Sequence, residues 1–222
     1  MNPCIISVGV GHWYPSGVRR LGNSLNYHGW PGDTILHTEY PAGCPPHNEV
    51  PYALKVYAFQ EAFDKGYTSA MWLDSSVWCI KYPDEHINSL AGDGYYLVDC
   101  EFMCDEWTND NCLNHFGLTR EQAREIPMIS GGILGLNMEF EIAREFFAQY
   151  KGAMEAGAFK GMWKDDEKVE GSGDRYKGHR HDQSCASIIA HRLGMKIHPF
   201  DTYDVYYRTD MPETTEFTLR GM

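Results

Sequence analysis

The chain has 222 residues, 43% of them hydrophobic and 23% charged, a balance that gives one globular domain with a real core and excludes a disordered polyelectrolyte. Its formal net charge of -12 repels nucleic acid and anionic membranes, so a phosphorylated ligand must be met by local cations or by a bound metal. No run approaches the ~20 apolar residues of a membrane span, residues 1–10 lack the basic stretch of a secretory signal, and seven unevenly spaced cysteines point to reduced thiols and a cytoplasmic location.

Residues 4–10 (CIISVGV) are short, apolar and β-branched, and read as a buried strand ended by Gly9 and Gly11. A loop, HWYP, follows. Ser16 then reads as the cap of a helix that places Val18, Leu21 and Leu25 on one face. Residues 33–37 (DTILH) read as a second strand, and the proline-rich 41–51 as a surface loop. Tyr52, Val56, Phe59 and Phe63 fall on one helical stripe, closed by Lys65-Gly66. Residues 69–73 (SAMWL) read as a buried strand running into Asp74-Ser75-Ser76, and 95–98 (YYLV) as another.

Thr119 to Gln122 has the form of a capping box. Residues 129–137 (ISGGILGLN) read as a strand with a glycine break, and Phe140, Ala143, Phe147 and Tyr150 mark the next helix. Residues 158–181 are polar, charged and glycine-rich without period, the mark of a functional or mobile loop. Asp182 opens a helix carrying Ile188, Ile189 and Leu193; 195–198 reads as a last strand, and the polar tail from Thr209 as loosely held. Strands alternating with helices in one unbroken unit, 1–222, predict a single α/β domain with a mostly parallel sheet covered on both faces.

Ligands of open α/β sheets bind at the carboxyl ends of strands, and three polar clusters fall there. Gly9 to Arg20 offers glycines and a helix start to a phosphate but lacks the third glycine of a dinucleotide fingerprint, and a tight turn with surface arginines fits it equally. Asp74-Ser75-Ser76 can contribute one carboxylate to Mg²⁺ or Mn²⁺, or be an ordinary turn. His179-Arg180-His181-Asp182-Gln183 offers imidazoles for a metal or a leaving phosphate and a carboxylate for a base, or for a helix cap. Cys100, Cys104, Cys112 and His115 match no standard zinc spacing.

In their order, CIISVGVGHWYPSGVRRLGNSL, YALKVYAFQEAFDKGYTSAMWLDSS, ISGGILGLN and HRHDQS resemble the GT-A family of nucleotide-sugar glycosyltransferases over residues 4–198. Small viral or bacterial enzymes that decorate capsid or surface glycans are the most similar. The resemblance implies a Rossmann-like α/β/α sandwich, a nucleotide-sugar donor with UDP as the commonest base, and a glycan or glycoprotein acceptor. It assigns the donor to Val8, Gly9, Tyr14 and Arg20 of the first strand and loop, to Asp74 and Ser75, and to Gly131 and Gly132. Lys55 corresponds to a helix-borne cation at the donor, and Asp182 and Gln183 to a pair beside the donor sugar.

The Asp-x-Asp motif that holds Mn²⁺ or Mg²⁺ on the diphosphate would begin at Asp74. Its second position is Ser76, a neutral and weaker ligand, so either the metal leans on Asp74 and a late histidine, His179 or His181, or metal dependence is reduced. The expected reaction is hexose transfer, with Asp182 as base or as holder of the sugar. A sugar nucleotidyltransferase and a non-catalytic carbohydrate- or nucleotide-binding domain are the alternatives. The sequence HWYP in the first loop counts against the former.

Overall fold

The structure, a computed structural model, describes residues 3–207 and 209–219. In chain order the elements are β1 (Pro3–Val8), α1 (Tyr14–Tyr27), β2 (Asp33–His37), α2 (Ala53–Asp64), β3 (Ser69–Leu73), β4 (Val77–Cys79), α3 (Asp84–Gly92), β5 (Tyr95–Tyr96) and β6 (Asp99–Met103). Then come α4 (Cys104–Trp107), α5 (Asp110–His115), α6 (Arg120–Ala123), β7 (Pro127–Ile129), β8 (Ile133–Asn137), α7 (Glu141–Glu155), α8 (Asp182–Arg192), β9 (Asp204–Tyr206) and β10 (Phe217–Leu219).

The central sheet has the order β2-β1-β3-β8-β5. β1 pairs in parallel with β2 and β3, while β8 runs antiparallel to β3 and β5, so β8 alone opposes the others. Alternation along the strands separates two cores. Cys4, Ile6, Val8, Ala70, Trp72, Leu134 and Leu136 face one way, against α2, α7 and α8 through Phe59, Phe146 and Ile189. Ile5, Met71, Leu73 and Ile133 face the other, against Leu21 and Leu25 of α1 and Leu90 of α3. This is the α/β/α sandwich expected from the sequence.

Several local expectations shift. α1 begins at Tyr14 rather than Ser16, because Pro15 is well suited to a first helical turn, where its missing N–H is not needed. Residues 129–137 split at Ser130-Gly131-Gly132 into β7, which pairs with β6, and β8, which pairs with β3. Residues 195–198 form no strand; His198 makes only an isolated bridge to Val98.

As far as the described residues run, to Leu219, the tail is not loose. β10 lies between β4 and β9 in a second sheet and is locked behind by a buried charge cluster. His86 Nδ1 meets Glu216 (2.5 Å), its Nε2 meets Asp204 (3.0 Å), and the Tyr96 hydroxyl donates to Asp204 (2.6 Å). Residues 158–181 carry no regular element, but backbone bonds fasten them to the α4–α5 region: Lys177 N to Glu106 O, Arg180 N to Trp107 O and Asp110 N to Glu170 O. They form a wall of the molecule. All seven cysteines are unpaired. Cys104 and Cys112 lie in the apolar core, with Cys112 Sγ 3.5 Å from Cys185 Sγ, and no cluster able to hold a metal forms among the described residues. No helix of the described residues is long and apolar enough to cross a membrane.

Candidate active site

Because β1 and β3 are parallel neighbours, with Ile6 opposite Trp72, their carboxyl ends open on the same sheet edge. Asp74 leaves β3 there in a tight turn: its N–H donates to Gly132 O (2.9 Å) and its carbonyl accepts from Val77 N (2.8 Å). The Trp72 indole donates to Asp74 Oδ1 (2.7 Å), which fixes the carboxylate's direction. Asp74 Oδ2 faces Gly132. Burial raises the Asp74 pKa from its ordinary value, against the opposing pull of Lys55 and the Trp72 bond.

The turn is held from behind. A Cβ on Gly17 would collide with the Ser75 carbonyl oxygen, so only glycine lets α1 approach this closely. Arg20, expected at the donor, instead donates to Ser76 O (2.7 Å) and lies over the Trp78 ring (4.9 Å). Its observed role is to brace the turn. Gly9 also has a packing reason, since a Cβ there would lie 2.5 Å from Tyr14 O.

Lys55 is the centre of the site. Its stem is buried among the α2 core residues (3% exposed), and its ammonium reaches Asp182 Oδ2 at 2.8 Å, Asp74 Oδ1 at 3.9 Å and Gly131 O at 2.6 Å. Burial alone would lower the Lys55 pKa, but Asp182 and then Asp74 more than offset it, and the ammonium stays charged. Asp182, at the start of α8, is buried and also accepts from the Tyr150 hydroxyl at Oδ2 (3.0 Å). Beside it Gln183 donates to Ile129 O (2.8 Å) and lines the same space as Gly131 and Gly132.

Two cavities meet here. One, of about 670 Å³, opens beside the end of β1 and is lined by Val8, Gly9, His12, Trp13, Tyr14, His47, Tyr52, Asp74, Ser75 and Ser76. The other, of about 380 Å³, is lined by Lys55, Asp74, Ser76, Gly131, Gly132, Asp182 and Gln183, and beyond them by Glu101, Trp163, Arg180, Phe200, Asp204 and Tyr206. Tyr52, Asp74 and Ser76 belong to both walls. Left-handed backbone at non-glycine residues, which costs ~1–3 kcal/mol each, gathers around these walls at His12, Tyr52 and Glu101, and at His181 immediately before Asp182.

The histidines depart from expectation. His179 is buried, and both ring nitrogens are spent: Nε2 on Ala158 O (3.0 Å) and Nδ1 on the Asn109 N–H (3.3 Å). Burial pushes its pKa down to about 3, so the ring is a neutral brace inside the 158–181 wall with no lone pair left for a metal. His181 is tied through Nδ1 to Phe159 O (3.0 Å), and burial lowers its pKa too. Neither histidine is among the residues lining the two cavities.

Sequence reasoning did not anticipate the far wall. Trp163, Phe200 and Tyr206 come from segments without periodicity, and their only signal was an aromatic excess of 14%.

No protein-family model and no curated protein matches the sequence. Among solved structures, the chain is similar to a glycosyltransferase involved in the glycosylation of the major capsid of PBCV-1. The TM-score is 0.55 at 13% identity, over 99% of this chain and 92% of that one. It is also similar to the apo structure of the WbbM bifunctional glycosyltransferase, with a TM-score of 0.52 at 13% identity over 92% of this chain. That match spans 40% of the bifunctional protein. The chain therefore has a glycosyltransferase fold of the GT-A type.

Proposed function

We propose that the chain transfers a hexose from a nucleoside diphosphate sugar, a UDP-sugar in the first instance, to a hydroxyl of a glycan or glycoprotein. One observation carries this reading: two cavities join at Asp74, at the carboxyl ends of the parallel strands β1 and β3. The larger cavity takes the nucleoside, with Trp13 and Tyr14 as stacking surfaces. The sugar sits at the junction, over Gly131 and Gly132. The smaller cavity takes the acceptor, where Trp163 and Tyr206 are partly exposed in the way that apolar sugar faces require.

The residues present fit a Mn²⁺ or Mg²⁺ ion held mostly by phosphate oxygens and water, the usual state of a hard cation at a diphosphate. Asp74 is 35% exposed and turns its Oδ2 to the cleft, and Ser76 lines the same point; His179 is excluded by its own hydrogen bonds. Bound there, the cation would stabilise charge on the departing diphosphate. Lys55 holds Asp74 and Asp182 at a fixed spacing. Asp182 Oδ2 is saturated by Lys55 and Tyr150, whereas Oδ1 has no partner among the described residues. Asp182 therefore accepts a hydroxyl of the donor sugar and orients its anomeric carbon, in preference to serving as the proton acceptor.

The test is a thermal-shift screen of UDP, GDP, dTDP and CMP, each with and without Mn²⁺, on wild-type protein and on Asp74→Asn. A ligand that binds only the native state raises the melting temperature. A shift by one nucleotide diphosphate that needs both Mn²⁺ and Asp74 is expected. No shift with any nucleotide at millimolar concentration would refute the donor site and leave a non-catalytic carbohydrate-binding domain.

A further inference from the structure

Arg180 has no task in the reaction just described, yet it is held with unusual care. Its guanidinium lies 4.0 Å from the Trp163 ring centre, 4.4 Å from that of Trp107 and 5.2 Å from that of Phe102. Its backbone is pinned to Trp107 O, and its N–H also donates to the Ser184 hydroxyl. The plane is thus clamped in place, and its rotamer entropy is already spent.

The same group makes no side-chain hydrogen bond and no ion pair among the described residues, and Nε is buried without a partner. Folded proteins rarely leave a buried donor unpaired, and a charged one is costlier still. None of the four carboxylates that line the cavity pairs with it: Asp182 is taken by Lys55, Asp204 by His86 and Tyr96, Asp74 by the Trp72 indole, and Glu101 makes no ion pair with the guanidinium among the described residues. Arg180 lines the smaller cavity and is absent from the walls of the larger one, where the nucleoside is placed.

We propose that Arg180 is an oxyanion seat for the acceptor, so that the preferred acceptor glycan carries an acidic sugar: a carboxylate, phosphate or sulfate that engages the guanidinium fork while the sugar face rests on Trp163 or Tyr206. This assignment of the smaller cavity rests on the transfer reading above. An acidic group at the fork forms charge-assisted, bidentate hydrogen bonds, and its discrimination over a neutral sugar is roughly tenfold or more.

The experiment titrates wild-type protein and Arg180→Gln with methyl glucuronide, glucose 6-phosphate and methyl glucoside, following indole emission from the tryptophans that flank the guanidinium. UDP with Mn²⁺ is titrated in parallel. At least one acid sugar should bind the wild type about tenfold more tightly than the glucoside, the preference should vanish in Arg180→Gln, and UDP affinity should stay within twofold. If Arg180→Gln does not fold, Arg180→Lys, which keeps the charge and loses the fork, should lose most of the preference. Acid sugars that bind no better than the glucoside overturn the proposal, and a tenfold loss of UDP affinity in the variant reassigns Arg180 to the donor diphosphate. Wild-type protein that prefers acid sugars but ignores UDP upholds the seat and refutes the donor site instead.

Discussion

Replacing Lys55 by Met tests the centre of the site through stability alone. Met preserves the apolar stem but removes an ammonium that lies 2.8 Å from Asp182 and donates to Gly131 O at 2.6 Å. Asp182 is only 4% exposed at its side chain and keeps the Tyr150 hydroxyl as its sole remaining side-chain donor among the described residues. Breaking a buried ion pair from one side costs about 3–5 kcal/mol, because the surviving charge stays buried. The orphaned Gly131 carbonyl contributes up to about 1 kcal/mol of that. A chain of this size loses ~2–4 °C per kcal/mol, so the melting temperature should fall by roughly 6–20 °C. Lys55→Met combined with Asp182→Asn leaves no buried charge and should recover more than half of the loss. Urea unfolding of wild type, both single variants and the double variant closes the thermodynamic cycle. A coupling energy below about 0.5 kcal/mol would refute the ion pair, and with it the view that Lys55 sets the spacing of Asp74 and Asp182.

Other perturbations follow from the same geometry. Asp74→Asn keeps an acceptor for the Trp72 indole, so it should melt within a few degrees of wild type while transfer, measured as release of nucleotide diphosphate, falls at least ~100-fold. Gly17→Ala places a methyl against the Ser75 carbonyl; it should destabilise by about 1–3 kcal/mol in urea despite better helix propensity, and equal or greater stability would show that the turn can move. His179→Gln should lower the melting temperature yet leave any Mn²⁺ requirement unchanged; loss of that requirement would restore His179 as a ligand. Burial opposes charge on His86, but Asp204 and Glu216 outweigh it and hold its pKa at about 9, above the 6.5 of a free ring. The clamp on the C-terminal strand is therefore at full strength below about pH 6.5 and weakens as pH rises through about 9, which melting curves against pH should show for wild type and not for His86→Gln.

The layers of the fold were legible because they obey simple periods. Val18, Leu21 and Leu25 repeat as a helix does, and Ile5 and Ile6 part company across the sheet as a strand requires. The site was legible where it coincides with strand ends, at Asp74 and at Gly131-Gly132. It was obscure where long-range pairing decides. Nothing local in HRHDQ distinguishes Arg180, which faces a cavity, from His179, whose nitrogens are consumed by backbone 21 and 70 residues away in sequence. The C-terminal strand was missed for the same reason. Glu216, immediately before it, satisfies a buried histidine on α3, a contact 130 residues distant that no window of sequence displays.

The charge pattern of the two cavities bears on how such an acidic chain admits an anionic donor. Lys55 and Asp182 cancel within 2.8 Å, so the group left facing the junction is the carboxylate of Asp74. Among the described residues the larger cavity has no Lys or Arg in its wall, and its His47 is shifted downward in pKa by burial and stays neutral near pH 7. A diphosphate entering that cavity meets the Asp74 carboxylate and no Lys or Arg among the described residues. Under the proposed reading, a divalent cation at Asp74 reverses that sign locally, while the net charge of -12 persists elsewhere. Donor affinity should then depend steeply on Mn²⁺ or Mg²⁺ and only weakly on monovalent salt, since a contact pair at a partly buried site is poorly screened. Acid-sugar binding at Arg180, in the smaller cavity, needs no such cation. The two ligands should therefore separate cleanly when a chelator is added: donor binding is lost, and the acid-sugar preference remains.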